Sequence, residues 1–354
     1  MDEIRISFPI SFIPRAKVSR NGIMRPQRHR ATALCYLLGL FSAFLLSDSH
    51  MADTNLPENP LQLAQFGRLE LIAQQLVEGV MMGRHRSPFK GSSVEFVEHR
   101  EYYPGDEIRH IDWRAFGKTG RYYVKEFEDE TNLRAHILVD ASGSMAYAGQ
   151  QVSKFQYAKM MAASIAWLLL CQRDAVGLTV FDTRPRETVK ASSNRDTFRR
   201  MVEILDGTTP GQETSLSAVL ETAVQTIPRR SMIILISDCF EEPESLVRVL
   251  QRCRHARHEI VILRIAAPEE EQFPFDRPTQ FRSLEQTGQR MLVDPVRLRQ
   301  EYLRQYEQFS ETMRRECGAL GISYRRILTN ESLQTALGSW LTERNDSRTA
   351  GRQL

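Results

Sequence analysis

The chain has 354 residues, of which 42% are hydrophobic and 26% are charged, which is the composition of an ordinary globular protein and excludes a disordered or fibrous class. Its formal net charge is +3, but residues 1–50 hold seven basic and three acidic side chains, a net +4, which leaves −1 for the remainder. Nucleic-acid binding needs a basic face or stripe, so we expect no nucleic-acid partner.

Residues 1–50 form a basic and apolar extension, in which positions 31–47 are a nearly unbroken apolar run. The run has three interpretations: a signal peptide, a membrane anchor close to the lower length limit of about 17 residues, or a segment upstream of a true start at Met51. We favour the third, which together with five scattered cysteines predicts a cytoplasmic protein. The alternative is a protein anchored in the membrane through residues 31–47.

Residues 51–132 are predicted to form an N-terminal helix followed by a strand-rich segment. Leu61–Met82 repeats apolar residues at helical intervals, and Gly83 is placed where a helix would stop. From Arg84 to Glu130 the pattern changes to short β-like pieces separated by turn-forming residues. The segment therefore predicts a small strand-rich subdomain.

Residues 133–342 alternate between apolar strands and amphipathic helices, which is typical of a doubly wound α/β domain with a mostly parallel sheet. The predicted strands are Ala135–Val139, Ala175–Phe181, Met232–Ser237, Glu259–Ile265 and Ile322–Leu328. The predicted helices are Lys154–Cys171, Arg195–Leu205, Ser215–Ile227, Pro243–Cys253, Pro295–Cys317 and Glu331–Thr342. Residues 343–354 are predicted to be a polar tail.

Polar side chains follow two of the predicted strands, at the edge where an open parallel sheet binds ligands. Asp140, Ser142 and Ser144 follow the first strand, Asp238 follows the third, and Thr214 stands at the start of a helix. These side chains offer only oxygen, and oxygen ligands with few carboxylates favour Mg²⁺ or Mn²⁺. The two carboxylates and three hydroxyls leave coordination positions open for water or for an acidic side chain of a partner. The competing interpretation is that they merely cap helices and turns.

With these positions the chain resembles the von Willebrand factor A family and its metal-ion-dependent adhesion site. There the motif Asp-x-Ser-x-Ser, a later Thr and a later Asp form one pocket. The resemblance implies that Ser142, Ser144 and Thr214 supply hydroxyl oxygens to the metal, and that Asp140 and Asp238 act directly or through water. It also implies that the last ligand is an acidic side chain of the bound protein.

Over about residues 60 to 342 the chain also resembles a bacterial family, the domain of unknown function fifty-eight. It is carried by Gly83–Gly91, Val94-Glu95-Phe96, Arg100-Glu101-Tyr102, Pro104-Gly105-Asp106, Ile111–Arg114, Tyr123-Val124-Lys125, Phe273-Pro274-Phe275, Val293-Asp294-Pro295 and Thr329. Proteins of that family are generally found with MoxR-type AAA+ ATPases. The resemblance implies an adaptor or co-chaperone of such an ATPase in protein maturation or assembly. The sequence has no Gly-x-x-x-x-Gly-Lys-Ser/Thr motif, so any ATP-driven work would fall to another chain.

The segment before Leu133 also contains a candidate partner-binding surface. Arg109, Asp112, Trp113 and Arg114 combine residue types that are enriched at interface hot spots. The alternative is a salt-bridged collar that attaches the segment to the A-type domain, with Trp113 as a packing residue.

We therefore expect a metal-dependent protein-interaction module and not an enzyme. One alternative is a metal-dependent hydrolase, for which Asp182 is the best additional carboxylate. None of the eight histidines follows a predicted strand beside the pocket residues, and the Gly-x-Ser-x-Gly elbow of serine hydrolases is missing. The other alternative is an A-type domain with a purely structural pocket and no metal.

Overall fold

A computed structural model describes residues 3–6, 59–65, 68–85, 99–101, 113–125, 133–211, 214–276, 279–283, 290–293 and 295–351. The apolar run at positions 31–47 lies outside these residues. Within the described part of the chain, no helix combines the length and the apolar character needed to cross a membrane.

The elements before residue 133 are short, apart from one helix. In chain order they are β1 (Glu3–Ile6), α1 (Pro60–Gln65), α2 (Leu69–His85), β2 (His99–Glu101), α3 (Trp113–Thr119) and β3 (Tyr123–Lys125). β2 and β3 pair in an antiparallel two-stranded sheet.

The larger unit follows with alternating strands and helices. Its elements are β4 (Arg134–Asp140), α4 (Lys154–Cys171), β5 (Ala175–Phe181), β6 (Pro185–Ser192), α5 (Arg195–Gly207), α6 (Leu216–Thr226), β7 (Met232–Ser237), α7 (Pro243–His255), β8 (Glu259–Ala266), α8 (Pro268–Gln272), β9 (Thr279–Ser283), β10 (Arg290–Val293), α9 (Pro295–Ala319), β11 (Ser323–Leu328) and α10 (Leu333–Gly351). β9 pairs with β1 in parallel and with β10 antiparallel, as a separate sheet.

The main sheet has six strands in the order β11-β8-β7-β4-β5-β6. All neighbours are parallel except β5 and the edge strand β6. Because successive strand residues point to opposite faces, Ile234 of β7 packs with α2, α4, α5 and α10, while Ile233 packs with α6, α7 and α9. The predicted doubly wound, mostly parallel α/β fold is confirmed.

Besides β1, α8, β9 and β10, which were not predicted, three further elements differ from the sequence prediction. β6 was not predicted, because in its polar sequence only Val189 is buried and its remaining side chains suit an edge strand. The helix α3 was not predicted either: Gly117 and the turn at Gly120 suggest a break, but Trp113 and Phe116 lie on one helical face with ring centroids 6.3 Å apart. α10 continues to Gly351, well into the predicted polar tail.

The predicted N-terminal helix is divided into α1 and α2, and it does not stop at Gly83. α2 runs to His85 because its buried face, with Leu69, Ile72 and Leu76, packs in the same core as α4 and α10. Such tertiary packing outweighs the penalty of about 1 kcal/mol for glycine within a helix. Leu71, which the helical spacing placed on the apolar face, is 47% exposed.

Candidate metal centre

The first part of the site is the loop that follows β4. Asp140 is fully buried, and both of its carboxylate oxygens accept hydrogen bonds: Oδ1 from the Ser142 amide at 2.9 Å and Oδ2 from the Ser237 hydroxyl at 2.6 Å. The Ser142 and Ser144 hydroxyl groups are also buried and hydrogen-bond to each other at 3.0 Å. A one-turn 3₁₀ helix at Gly143–Ala146 holds Ser144 in this position.

This loop concentrates negative charge in a dry environment. Burial, followed by the nearby charge of Asp238, raises the pKa of Asp140 to about 7, although hydrogen bonds from Ser237 and Ser142 act in the opposite direction. A carboxylate in this position is costly to ionise without a cation. The electrostatics therefore favour a positive group beside Asp140.

The second part of the site is the end of β7, where Asp238 contacts a buried lysine. Lys154 Nζ donates to Asp238 Oδ2 at 2.7 Å and to Glu270 Oε1 at 2.7 Å, and all three side chains are buried. Burial would lower the pKa of Lys154, but the charges of Asp238 and Glu270 raise it above its usual value. The remaining oxygen, Asp238 Oδ1, accepts from the Phe240 amide at 3.3 Å. Lys154 thus holds Asp238 by one oxygen and turns the other toward the loop backbone.

The backbone after Asp238 is strained. Cys239 has a φ of +57°, which costs a side-chain-bearing residue about 1 kcal/mol or more. Its amide is held by the Ser237 hydroxyl at 2.9 Å, the same hydroxyl that donates to Asp140. Ser237 therefore connects the ends of β4 and β7.

Thr214 lies on the loop between α5 and α6. That loop is anchored at the ends of β4 and β5, because the Gly211 amide donates to the Ala141 carbonyl at 2.7 Å and the Ser215 amide donates to the Asp182 carbonyl at 3.4 Å. The Thr214 hydroxyl oxygen is buried and has no hydrogen-bond partner among the described residues. Buried hydroxyls are usually hydrogen-bonded in native proteins, so the Thr214 hydroxyl is available to a ligand, as are the hydroxyls of Ser217 and Thr329.

Of the predicted ligand set, the structure brings Asp140, Ser142, Ser144 and Asp238 into one connected group. Thr214 stands on the adjacent loop, with its hydroxyl buried. Together they offer two carboxylates and three hydroxyls, a donor set that fits Mg²⁺ or Mn²⁺. No group of three or more His, Cys, Asp or Glu side chains suited to a metal occurs among the described residues, so the candidate centre depends on the hydroxyl groups.

Asp182, the additional carboxylate of the hydrolase alternative, forms an ion pair with Arg186. Arg186 donates to Asp182 Oδ2 through Nε at 2.7 Å and to the Thr209 carbonyl through Nη1 at 2.8 Å. Gly211 leaves no room for a Cβ beside this guanidinium. Asp182 therefore fastens the Thr214 loop to the β5–β6 hairpin.

The predicted partner-binding surface is described only in part. Trp113 begins α3 and is 58% exposed, and it makes edge contacts with Phe116 and Tyr122, whose own rings stack at 4.4 Å. Its exposure argues against the alternative that Trp113 is a packing residue. Arg109, Asp112 and the side chain of Arg114 lie outside the described residues.

Three buried residues of the centre were missed at the level of sequence: Lys154, Ser237 and Glu270. Lys154 left one signal, because a cation in the first turn of a helix opposes the helix dipole unless an acid neutralises it. Ser237 precedes Asp238 at a strand end, which is the same kind of signal that identified Ser142. Glu270 left none, since three consecutive glutamates in α8 resemble a solvated face.

The family model "Protein of unknown function DUF58" matches residues 98–312, which is more than half of the chain. The protein belongs to this family. An uncharacterized protein of Mycobacterium tuberculosis is 27% identical over 220 residues, which are 61% of this chain and 69% of that protein.

Two solved structures are similar to part of this chain. The conserved hypothetical protein BatB from Bacteroides thetaiotaomicron is 18% identical, covers 60% of this chain and 99% of its own, and has a TM-score of 0.40. The SpRpn10 VWA domain is 11% identical, covers 58% of this chain and 93% of its own, and has a TM-score of 0.36. Both overall likenesses are low, so membership of the family follows from the family match.

Proposed function

We propose that this protein is a divalent-metal-dependent protein-interaction module, with Mg²⁺ or Mn²⁺ held by Asp140, Ser142, Ser144, Thr214 and Asp238. The observation that carries the proposal is the buried Thr214 hydroxyl, which has no partner among the described residues and lies on the loop whose Gly211 amide donates to the Ala141 carbonyl. Two seryl hydroxyls and two carboxylates follow β4 and β7 at the same edge of the sheet. The raised pKa of Asp140 supports it, because a cation would relieve the repulsion from Asp238.

The protein's own residues explain how such a site would be shaped. Asp140 holds the Ser142 amide and the Ser237 hydroxyl, so its main task is to fix the loop that presents Ser142 and Ser144. Lys154 occupies one oxygen of Asp238, which favours contact with the metal through water. When bound, the ion would supply positive charge with an open position for an acidic side chain of a partner protein.

The partner that we propose is a MoxR-type AAA+ ATPase, for which this chain would act as adaptor or co-chaperone. The basis is the family to which the chain belongs, together with the lack of an ATP-binding motif in its sequence. The aromatic group of Trp113, Phe116 and Tyr122, in which Trp113 and Tyr122 are exposed, is the second contact that we propose for this partner, because Trp and Tyr are enriched at hot spots.

The metal is tested by calorimetric titration of Mg²⁺ and Mn²⁺ into metal-free protein. We expect one saturable site in the wild type and at least about tenfold weaker binding in Ser144→Ala, since a hydroxyl ligand is lost. Ser164→Ala is the matched control, because that serine is equally buried but donates to the Met160 carbonyl within α4. Equal affinity in Ser144→Ala and Ser164→Ala would show that the pocket only shapes a turn.

The partner is tested by binding of the purified MoxR-type ATPase of the same organism, with Mg²⁺ and with EDTA. We expect EDTA and Asp140→Ala to abolish binding, and Trp113→Ala to weaken it by about tenfold or more. Val296→Ala is the control for Trp113→Ala, because Val296 is also an exposed large apolar residue but lies on α9. Undiminished binding in EDTA would contradict a role for the metal.

A further inference from the structure

A cleft of about 660 Å³ lies on the side of α9 that faces α8 and β11, a volume in the usual range for ligand sites. Its walls include Glu271 of α8, Tyr306 and Ser310 of α9, and Tyr324 and Arg326 of β11. None of these residues belongs to the candidate metal centre. The cleft is thus a separate concave surface with polar and aromatic walls.

Arg264 lies directly behind this cleft. It projects from β8 and is fully buried, and its Nη1 donates to the Ser310 hydroxyl at 2.8 Å and to the Tyr324 hydroxyl at 3.4 Å, both of which line the cleft. Its Nε donates to the Asp238 carbonyl at 3.1 Å. The third nitrogen, Nη2, is buried and has no hydrogen-bond partner among the described residues.

The charge of Arg264 is only partly compensated. Three aromatic rings surround the guanidinium, with Cζ 5.3 Å from the centroid of Phe240, 5.0 Å from Tyr306 and 4.8 Å from Phe309. Within the described residues, however, no carboxylate forms an ion pair with Arg264. Arginine keeps its proton even when buried, and buried charges are normally paired. The Glu271 carboxylate in the cleft wall interacts electrostatically with Arg264 without forming an ion pair, so what the described residues leave open is an acceptor for Nη2.

The rim of the cleft restricts which anion suits it. Glu307, Glu311 and Arg314 of α9 are exposed there, and none of them forms an ion pair within the described part of the chain. At the mouth, Arg326 pairs with Glu271 at 3.0 Å. Glu307 and Glu311 outnumber Arg314, so this rim has a net negative charge that disfavours a purely anionic ligand such as phosphate. The two glutamates would attract one that carries a positive group several bonds away from its negative group.

We propose that the cleft binds a peptide segment of a partner protein through a carboxylate that reaches Arg264 and a neighbouring basic side chain that contacts Glu307 and Glu311. The carboxylate takes the place of the Ser310 or Tyr324 hydroxyl beside Arg264 and gives Nη2 a partner. The aromatic walls formed by Tyr306 and Tyr324 cover the apolar part of the segment. This site shares no side chain with the metal centre, although Arg264 also donates to the Asp238 carbonyl, and it recognises a ligand with both charges.

The test uses the full protein in EDTA, so that its result does not depend on metal binding. Ligand-observed NMR titrations compare N-acetyl-glutamyl-lysine amide with N-acetyl-glutaminyl-lysine amide, which differ only in the carboxylate. We expect the glutamyl peptide to bind saturably and about tenfold more tightly than the glutaminyl peptide, because a charge-assisted hydrogen bond to Arg264 is lost in the latter.

Two variants locate the site. Ser310→Phe fills the cleft and should abolish binding, whereas Ser339→Phe, on the exposed surface of α10, should leave it unchanged. Arg264→Met should bind both peptides with equal, weak affinity. No saturable binding of the glutamyl peptide, equal affinity of the two peptides for the wild type, or unchanged binding in a folded Ser310→Phe variant would each overturn the proposal.

Discussion

Lys154 and Arg264 are two buried cations that face the same aromatic ring. Lys154 Nζ lies 5.1 Å from the centroid of Phe240, and Arg264 Cζ lies 5.3 Å from it. Lys154 contacts two carboxylates, those of Asp238 and Glu270, each at 2.7 Å. Arg264 contacts a backbone carbonyl, two hydroxyls and aromatic rings, but no carboxylate among the described residues.

The difference indicates two uses of a buried positive charge. The Lys154 group is closed, because the carboxylates of Asp238 and Glu270 neutralise the charge of Lys154. These ion pairs join the start of α4 to the end of β7 and to α8. The Arg264 group is open, because its Nη1 donates to two hydroxyls that line a cleft and its Nη2 has no hydrogen-bond partner among the described residues. A paired charge holds elements together, whereas an unpaired one beside a cleft is available to a ligand.

The strongest test of this comparison is Lys154→Met. The variant strands two buried carboxylates without a cation, and we expect it to lower the free energy of unfolding by about 3–5 kcal/mol. Urea denaturation measures the loss. Lys159→Met is the matched control, since its pair with Asp206 is longer, at 3.6 Å, and partly exposed, and should cost less than about 1 kcal/mol. Similar losses in both variants would mean that the Lys154 group does not hold the elements together.

Arg264→Met should be less damaging than Lys154→Met. No buried carboxylate loses its partner, so the expected cost is about 1–3 kcal/mol for the hydrogen bonds to the Asp238 carbonyl and the two hydroxyls. The same denaturation series measures it. A loss as large as that of Lys154→Met would show that Arg264 is as fully compensated as the lysine, and the contrast between the two cations would fail.

His136 on β4 shows what a partly buried basic group does when it can release its proton. Burial, then the charges of His258 and Arg134, lower the pKa of His136 from 6.5 to about 4. Between these pH values the unfolded chain binds more protons than the folded one, so stability is full above pH 6.5 and falls as the pH drops toward 4. We expect this loss in the free energy of unfolding to be about 1–2 kcal/mol, after allowance for the partial exposure of His136.

Urea midpoints between pH 7 and pH 4 for the wild type and His136→Gln test this dependence. The variant should lose less stability than the wild type over that range. His255→Gln is the control, because His255 is exposed on α7 and should leave the wild-type profile unchanged. Identical profiles for the wild type and His136→Gln would contradict the assignment.

The smallest expected change in stability is that of Thr214→Val. Because the Thr214 hydroxyl has no partner among the described residues, its removal should change the free energy of unfolding by less than about 0.5 kcal/mol, while weakening Mg²⁺ binding by about tenfold. Thr208→Val provides the contrast, since that hydroxyl donates to the Ile204 carbonyl at 2.6 Å and should cost about 1 kcal/mol with no effect on the metal. Calorimetry and urea denaturation measure the two quantities separately.

The sequence predicted the main sheet well, because buried parallel strands are continuous apolar runs that need no distant information. It failed at β6 and α3, where an exposed edge strand and a short surface helix have weak periodicity. Arg264 could have been found: an arginine inside the apolar strand Glu259–Ala266 is unusual, and the alternation of faces places it in the core. That no carboxylate forms an ion pair with Arg264 among the described residues could not be predicted from the sequence.

What the sequence by itself determined is the chemistry that each strand end presents: Asp140, Ser142 and Ser144 after β4, and Asp238 after β7. These follow from local pattern and from the rule that parallel strands bring their carboxyl ends to one edge. Only the tertiary structure decided which charges meet. Lys154 is 84 residues from Asp238 and 116 from Glu270 in the chain, and Coulomb interactions depend on distance in space. For that reason the paired lysine and the unpaired arginine, which look alike in sequence, become distinct only once the elements are packed.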